Sequence, residues 1–226
     1  MIDMTYIIFV LPALILAMWA QTKVSSTFNR YSKIESQRGL TGHDAARKIL
    51  DEHGLHHVKI EHIAGNLTDH FDPRANVIRL SDSVHSKNSI GAVGVAAHEA
   101  GHAVQHSEGY VPIKVRNAII PAANIGSYAA FPLALIGILF SSDWLINAGI
   151  ILFSAVVLFQ LVTLPVEFNA SNRAVRVLGN SEMLDRNEVR GVKKVLSAAA
   201  MTYVAAAATA VMNLVRLLVL TNRNRD

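Results

Sequence analysis

The segment GVAAHEAGHAVQH, residues 94–106, sets His98, His102 and His106 at four-residue intervals, with Glu99 directly after the first. Imidazole nitrogen is a good donor to zinc, and a carboxylate beside such an ion can take a proton from water. His98-Glu99-Ala100-Gly101-His102 matches the pattern HExxH. On a helix, residues four apart share a face, so His98 and His102 reach one ion while Glu99 points to its open position. Zinc so held brings the pKa of a water molecule to about 7, and Glu99 is the candidate base as that water attacks a carbonyl. His106 lies two turns from His98, about 12 Å along the axis, and cannot join the same ion. It is either an outer partner of the site or a core histidine, and the core is its expected place. The neighbours GAVGVAA and AV are small or apolar, as befits a buried active-site helix. Gly101 is a poor helix former, tolerable where another backbone or a substrate comes close.

Zinc held by two histidines needs a third protein ligand. The chain has no cysteine, so only His, Asp or Glu can serve. A metzincin extension would need glycine at 105 and histidine at 108, where this chain has Gln105 and Glu108. A glutamate from a separate helix is the other common solution, and Glu167 in LVTLPVEFNASNRAVRVL is the candidate. The helical series Glu167, Ala170, Ser171, Ala174 gives it a small-residue face for tight packing on the HExxH helix. The competing role is a helix-start carboxylate after Pro165, stabilised by the helix dipole. Glu182 and Glu188 are weaker candidates in a charged stretch.

These residues need elements to position them, and composition sets the frame. Of 226 residues 51% are hydrophobic and 17% charged, with a mean hydropathy of +0.31. That is too apolar for an ordinary soluble domain and points to a membrane protein. The net charge of +4 is modest and clustered near apolar runs, where it reports orientation in a lipid bilayer, not nucleic-acid binding. Four runs are long enough to span, at about residues 4–20, 118–140, 144–166 and 196–220. The first is expected to be a retained anchor, since a signal peptide's basic start and small-residue cleavage site are not seen. The middle two are separated by the SSDW turn and should form a helical hairpin. Lys23, Arg30, Lys33, Arg38, Lys114 and Arg116 flank the spans in segment 21–117, and segment 167–195 carries Arg173, Arg176, Arg186, Arg190, Lys193 and Lys194. The positive-inside rule places both polar segments in the cytoplasm; Arg223 and Arg225 argue weakly against this. Arg216, inside the fourth run, is either a snorkelling side chain or a functional intramembrane charge.

Within 21–117, Thr41 is a candidate N-cap with Asp44 three residues on, and Gly54 is a stop. VKIEHI, LTDHF and NVIRLS are expected strands, with turns at Gly65-Asn66 and Pro73-Arg74. A helix from about Asn88 to Gln105 carries the HExxH.

TDHFDP, AVGVAAHEAGHAVQH, PVEFNAS and AAAMTYVAAA together resemble the neutral zinc metallopeptidases of bacterial membranes, the YugP-like family. The resemblance runs from about Tyr31 to Val219. It implies an integral-membrane zinc peptidase distantly related to HtpX-like proteases, with His98, His102 and Glu167 as ligands and Glu99 as base. Many gluzincins have an aspartate four residues after the glutamate ligand to buttress a zinc histidine; here that position is Ser171. Ser171 or Asn172 is the candidate replacement. In distant relatives an upstream strand pairs with the extended substrate. Here that strand is 67–72, with His70 near the cleft as a possible oxyanion donor. Its ordinary alternative is a polar strand and turn, Asp69 facing opposite to His70.

The expected molecule is thus a mainly α, polytopic membrane protein forming one domain over 1–226. It has about four transmembrane helices and a small cytoplasmic α+β zincin-like part. Its expected function is zinc-dependent hydrolysis of membrane-associated or unfolded polypeptides. The rival functions are a non-catalytic zinc-stabilised membrane scaffold and a zinc hydrolase of a lipid-linked, non-peptide substrate.

Overall fold

A computed structural model describes residues 4–222. Six helices and three strands follow in the order α1 (Leu11–Tyr31), α2 (Gly42–Glu52), β1 (Lys59–Ile63), β2 (His70–Asp72), β3 (Val77–Ser81), α3 (Ile90–Ser107), α4 (Val111–Leu139), α5 (Asp143–Asn180) and α6 (Arg186–Asn222). A single wide turn, Tyr6–Val10, leads into α1. The chain divides into two compact units, one of residues 22–110 and 166–200, the other of the remainder.

The first unit is built on α2, the sheet and α3. Thr41 caps α2 as its residue type suggests: its hydroxyl accepts from the Asp44 amide, and the Asp44 carboxylate accepts from the Thr41 amide. Two donors at the helix start are thereby satisfied reciprocally. Ala45, Ala46, Ile49 and Leu50, one stripe at helical spacing, are buried. Gly54 has φ +70° and ends the turn beyond α2, a conformation that costs glycine little. Arg47 then ties the descent into β1, donating to the Val58 carbonyl at 2.7 Å and the Leu55 carbonyl at 2.9 Å. The sheet order is β1-β3-β2, with β1 parallel and β2 antiparallel to the central β3. The β2–β3 hairpin turns at Pro73–Asn76, where the Asp72 carboxylate accepts from the amides of Arg74 and Ala75. An aspartate initiating a turn in this way is its usual use.

Helix α3 is the centre of this unit. Ser89 caps it by accepting from the Ala92 amide. Its glycines mark where neighbours press closest. A Cβ on Gly94 would meet the Val192 side chain of α6 at 3.0 Å. On Gly101 it would stand 2.9 Å from the Ala170 carbonyl oxygen of α5. Ala170 and Ala174 are fully buried, so the small-residue stripe read from the sequence lies against α3, backbone to backbone.

The second unit is apolar. Its core gathers Ala130, Ala134, Phe153, Val157, Ala210 and Leu217, and the rings of Phe131 and Phe153 meet edge-on at 5.2 Å. Gly149 of α5 packs against the Ala130 carbonyl of α4, the close approach that small residues allow between membrane helices. Ile125, Leu135, Leu139, Trp144, Ile151 and Leu158 are exposed, which suits hydrocarbon and not water. Arg216 lies over the Tyr6 ring, 5.3 Å from its centre. Arg223 and Arg225 fall outside the described residues.

Four helices, Tyr6–Tyr31, Val111–Leu139, Asp143–Asn180 and Arg186–Asn222, are long and apolar enough to cross a membrane. The helices nonetheless outrun the apolar stretches. α1 continues eleven residues past position 20, and α5 runs fourteen past position 166 with Pro165 inside it. Backbone hydrogen bonding does not stop where side chains turn polar, so hydropathy located the spans but not the helix ends.

Candidate metal centre

α3 presents His98 and His102 on one face, their ring centres 4.6 Å apart. α5 brings Glu167 to them. Its Oε2 lies 3.3 Å from His98 Nε2 and 3.5 Å from His102 Nε2. Donor atoms on a tetrahedral zinc ion, each at about 2.0–2.1 Å, stand roughly 3.3 Å from one another. The spacing, the two imidazole nitrogens and the single carboxylate therefore fit zinc, and these three residues can hold the ion. All three are largely shielded: the side chains of His98, His102 and Glu167 are 13%, 12% and 6% exposed.

The other ring nitrogens are held as well. His98 Nδ1 lies 3.2 Å from the Ser171 hydroxyl, and His102 Nδ1 lies 3.0 Å from Gln105 Oε1. Such contacts fix the ring plane and leave each Nε2 facing Glu167. Burial alone would pull the His102 imidazole down. The Glu167 carboxylate hydrogen-bonded to it, the charge of Glu99 and the contact with Gln105 outweigh burial and hold it above its ordinary value. The same negative field favours a divalent cation.

Glu99 is 8% exposed, and among the described residues nothing hydrogen-bonds its carboxylate. Its charge reaches His102 on one side and Asp69 on the other. Asp69 is pushed above the usual carboxylate range by burial, with Glu99 acting in the same direction, despite accepting from the Ser81 amide and hydroxyl at 2.7 and 3.0 Å. That pair of bonds fastens the approach to β2 onto the end of β3.

The remaining candidates scatter. His70 does not join the cluster. It is exposed, with Nδ1 3.0 Å from the Thr68 carbonyl, while its neighbour Phe71 packs on α3, its ring 5.8 Å from that of His106. Strand alternation therefore turns His70 away from α3. His106 is exposed, correcting its expected place in the core: position 106 falls on the rim of α3, where only Phe71 covers part of its ring. Asn172 is also exposed; it lines a cavity of about 200 Å³ with Ile49, His53, Asn169, Arg173 and Arg176. Glu188 is buried and occupied, accepting from the Gln37 and Asp185 amides at 2.7 Å each. Glu182 is exposed, 3.9 Å from Arg38.

Gln105 is the residue the sequence reading passed over. It is fully buried and bridges α3 to α5, its amide donating to the Val166 carbonyl at 2.8 Å and to Asn169 Oδ1 at 2.9 Å. The available signal was a lone amide in an apolar helix, three residues after His102 and so on its face.

The family model described as "Putative neutral zinc metallopeptidase" matches residues 6–222. The chain is also 49% identical over 223 residues to a Bacillus subtilis (strain 168) protein named "Putative membrane protease YugP", an alignment covering 99% of each. No solved structure matches it.

Proposed function

The chain belongs to the neutral zinc metallopeptidase family, and on that premise we propose that it is a multi-pass membrane endopeptidase of the HExxH-plus-glutamate type, hydrolysing membrane-associated or unfolded polypeptides. The observation that carries this reading is the meeting of His98, His102 and Glu167 beside a buried Glu99 carboxylate that no described group hydrogen-bonds. A purely structural zinc would be closed by a fourth side chain and would have no use for such a base.

Zinc, when bound, acidifies water and polarises the scissile carbonyl. His98, His102 and Glu167 would hold it. Glu99 accepts a proton from the attacking water as the new C–O bond forms, then returns that proton to the amide nitrogen as the C–N bond breaks. One water is consumed, and Glu99 ends as it began. The antiparallel edge strand β2 supports an extended substrate. It pairs with β3 on one side only, and an extended peptide can add to the other as a further strand. The clusters of Lys and Arg beside the apolar runs support a cytoplasmic site.

The test is Glu99→Gln in the full-length protein, assayed on an unfolded membrane-associated polypeptide. Cleavage should fall by about 10²–10⁴-fold, the contribution of a general base, with zinc content unchanged. Undiminished cleavage would sink the peptidase reading.

A further inference from the structure

We infer that a hydrogen-bond relay from Arg173 through Asn169 and Gln105 sets the tautomer of His102 and so points its Nε2 lone pair at the metal. The inference rests on His102 being a zinc ligand. A guanidinium has donors only. Arg173 donates through Nη2 to Glu108 at 2.7 Å and through Nε to Asn169 Oδ1 at 2.8 Å. The atom Asn169 turns toward it must therefore be its oxygen. Gln105 meets that same oxygen at 2.9 Å and the Val166 carbonyl at 2.8 Å. Both are acceptors, so the Gln105 amide must face them with its nitrogen, leaving its oxygen 3.0 Å from His102 Nδ1. That oxygen can only accept. In the neutral ring that a metal ligand requires, His102 then carries its proton on Nδ1 and its lone pair on Nε2, which lies 3.5 Å from Glu167 Oε2.

Amide orientation is ordinarily ambiguous, and a histidine tautomer equally so. Here each role follows from the one before, beginning at a side chain that cannot accept. His98 lacks such a chain, because the Ser171 hydroxyl can donate or accept. Gln105 and Asn169 are thus positioning residues. The relay also binds His102 to the stretch of α5 that carries Glu167, so the two ligands move as one.

The directional roles give a test that packing alone would not pass. Position 169 acts only as an acceptor, and its Nδ2 makes no bond to a described residue. Asn169→Asp should therefore preserve the relay, whereas Asn169→Leu, of similar size, should break it. Zinc affinity is measured on full-length protein without a polyhistidine tag, by competition with a chromophoric chelator. Asn169→Asp should stay within about threefold of the unaltered protein, while Asn169→Leu and Gln105→Met weaken zinc about 10–100-fold, as loss of a ligand's outer partner does. The double variant Gln105→Met/Arg173→Met should lose no more than Gln105→Met alone, since one break silences the chain. Equal losses for Asp and Leu at 169, multiplied losses in the double variant, or unaltered affinity in Gln105→Met would each overturn the relay. His102→Ala separates the two levels. If it abolishes zinc binding while the relay variants change nothing, the relay alone fails; if it leaves zinc binding intact, the metal-centre reading fails with it.

Discussion

Two groups of histidines stand in one compact unit, and among the described residues only one of them joins a carboxylate in a set that could hold a metal ion. His98 and His102 lie 4.6 Å apart, ring to ring. His43 and His62 lie 5.2 and 5.4 Å from His85, close enough to look similar on paper. Their surroundings differ. The first pair is largely shielded and shares one carboxylate oxygen, delivered from another helix. The second group is half exposed. Its carboxylates stand outside, Asp82 2.7 Å from His62 and Asp44 3.5 Å from His43, each serving one ring. His85 is pulled below the usual histidine value by burial and by His43 and His62, with Asp44 only partly offsetting this. In the first group the field invites a cation; in the second, histidines repel one another's protons. Proximity of imidazoles is thus not what makes a site. A carboxylate set among them, and the exclusion of water, are.

The comparison breaks most completely at His102→Ala. Bound zinc, measured by atomic emission after dialysis against a weak chelator, should fall below one tenth of stoichiometric, because two remaining donors do not make a zinc site. Gly101→Ala is next. Its new methyl would stand 2.9 Å from the Ala170 carbonyl oxygen, and backbone cannot rotate aside as a side chain can. Forcing α3 and α5 apart should cost about 1–3 kcal/mol, read as a lowered thermal midpoint, with zinc affinity reduced alongside. The smallest effects belong to the exposed group. His85→Gln should leave zinc content unchanged and shift stability at neutral pH by no more than about 0.5 kcal/mol. Its signature is in acid. The folded-state pKa of His85 lies below the 6.5 of the free side chain, so the folded protein binds fewer protons than the unfolded one in that range. Stability present above pH 6.5 is lost as pH falls through the lowered value, and thermal melts at pH 7 and 5 should show a smaller drop for His85→Gln than for the unaltered chain.

What the sequence disclosed was what periodicity and spacing encode. HExxH, the Thr41–Asp44 cap and the four apolar runs are local patterns, each confined to a few turns. Glu167 was visible for a different reason: a carboxylate closing an apolar run, on a helix face otherwise made of small residues, asks for a partner. Gln105 gave no comparable hint. Its meaning lies in the Val166 carbonyl and Asn169, sixty-one and sixty-four residues away, and long-range docking leaves no mark on local spacing. The exposure of His106 and the outward turn of His70 were hidden alike, since each depends on which face of a helix or strand a neighbour covers.

The remoteness of Glu167 also has a meaning in time. A chain made from its amino end produces α3, with both histidines, before any of α4 and before the part of α5 that carries the third donor. Until α5 reaches α3, the nascent protein holds a two-nitrogen half-site with little hold on zinc. The three-donor set is complete only when α5 reaches α3, not with the appearance of the motif.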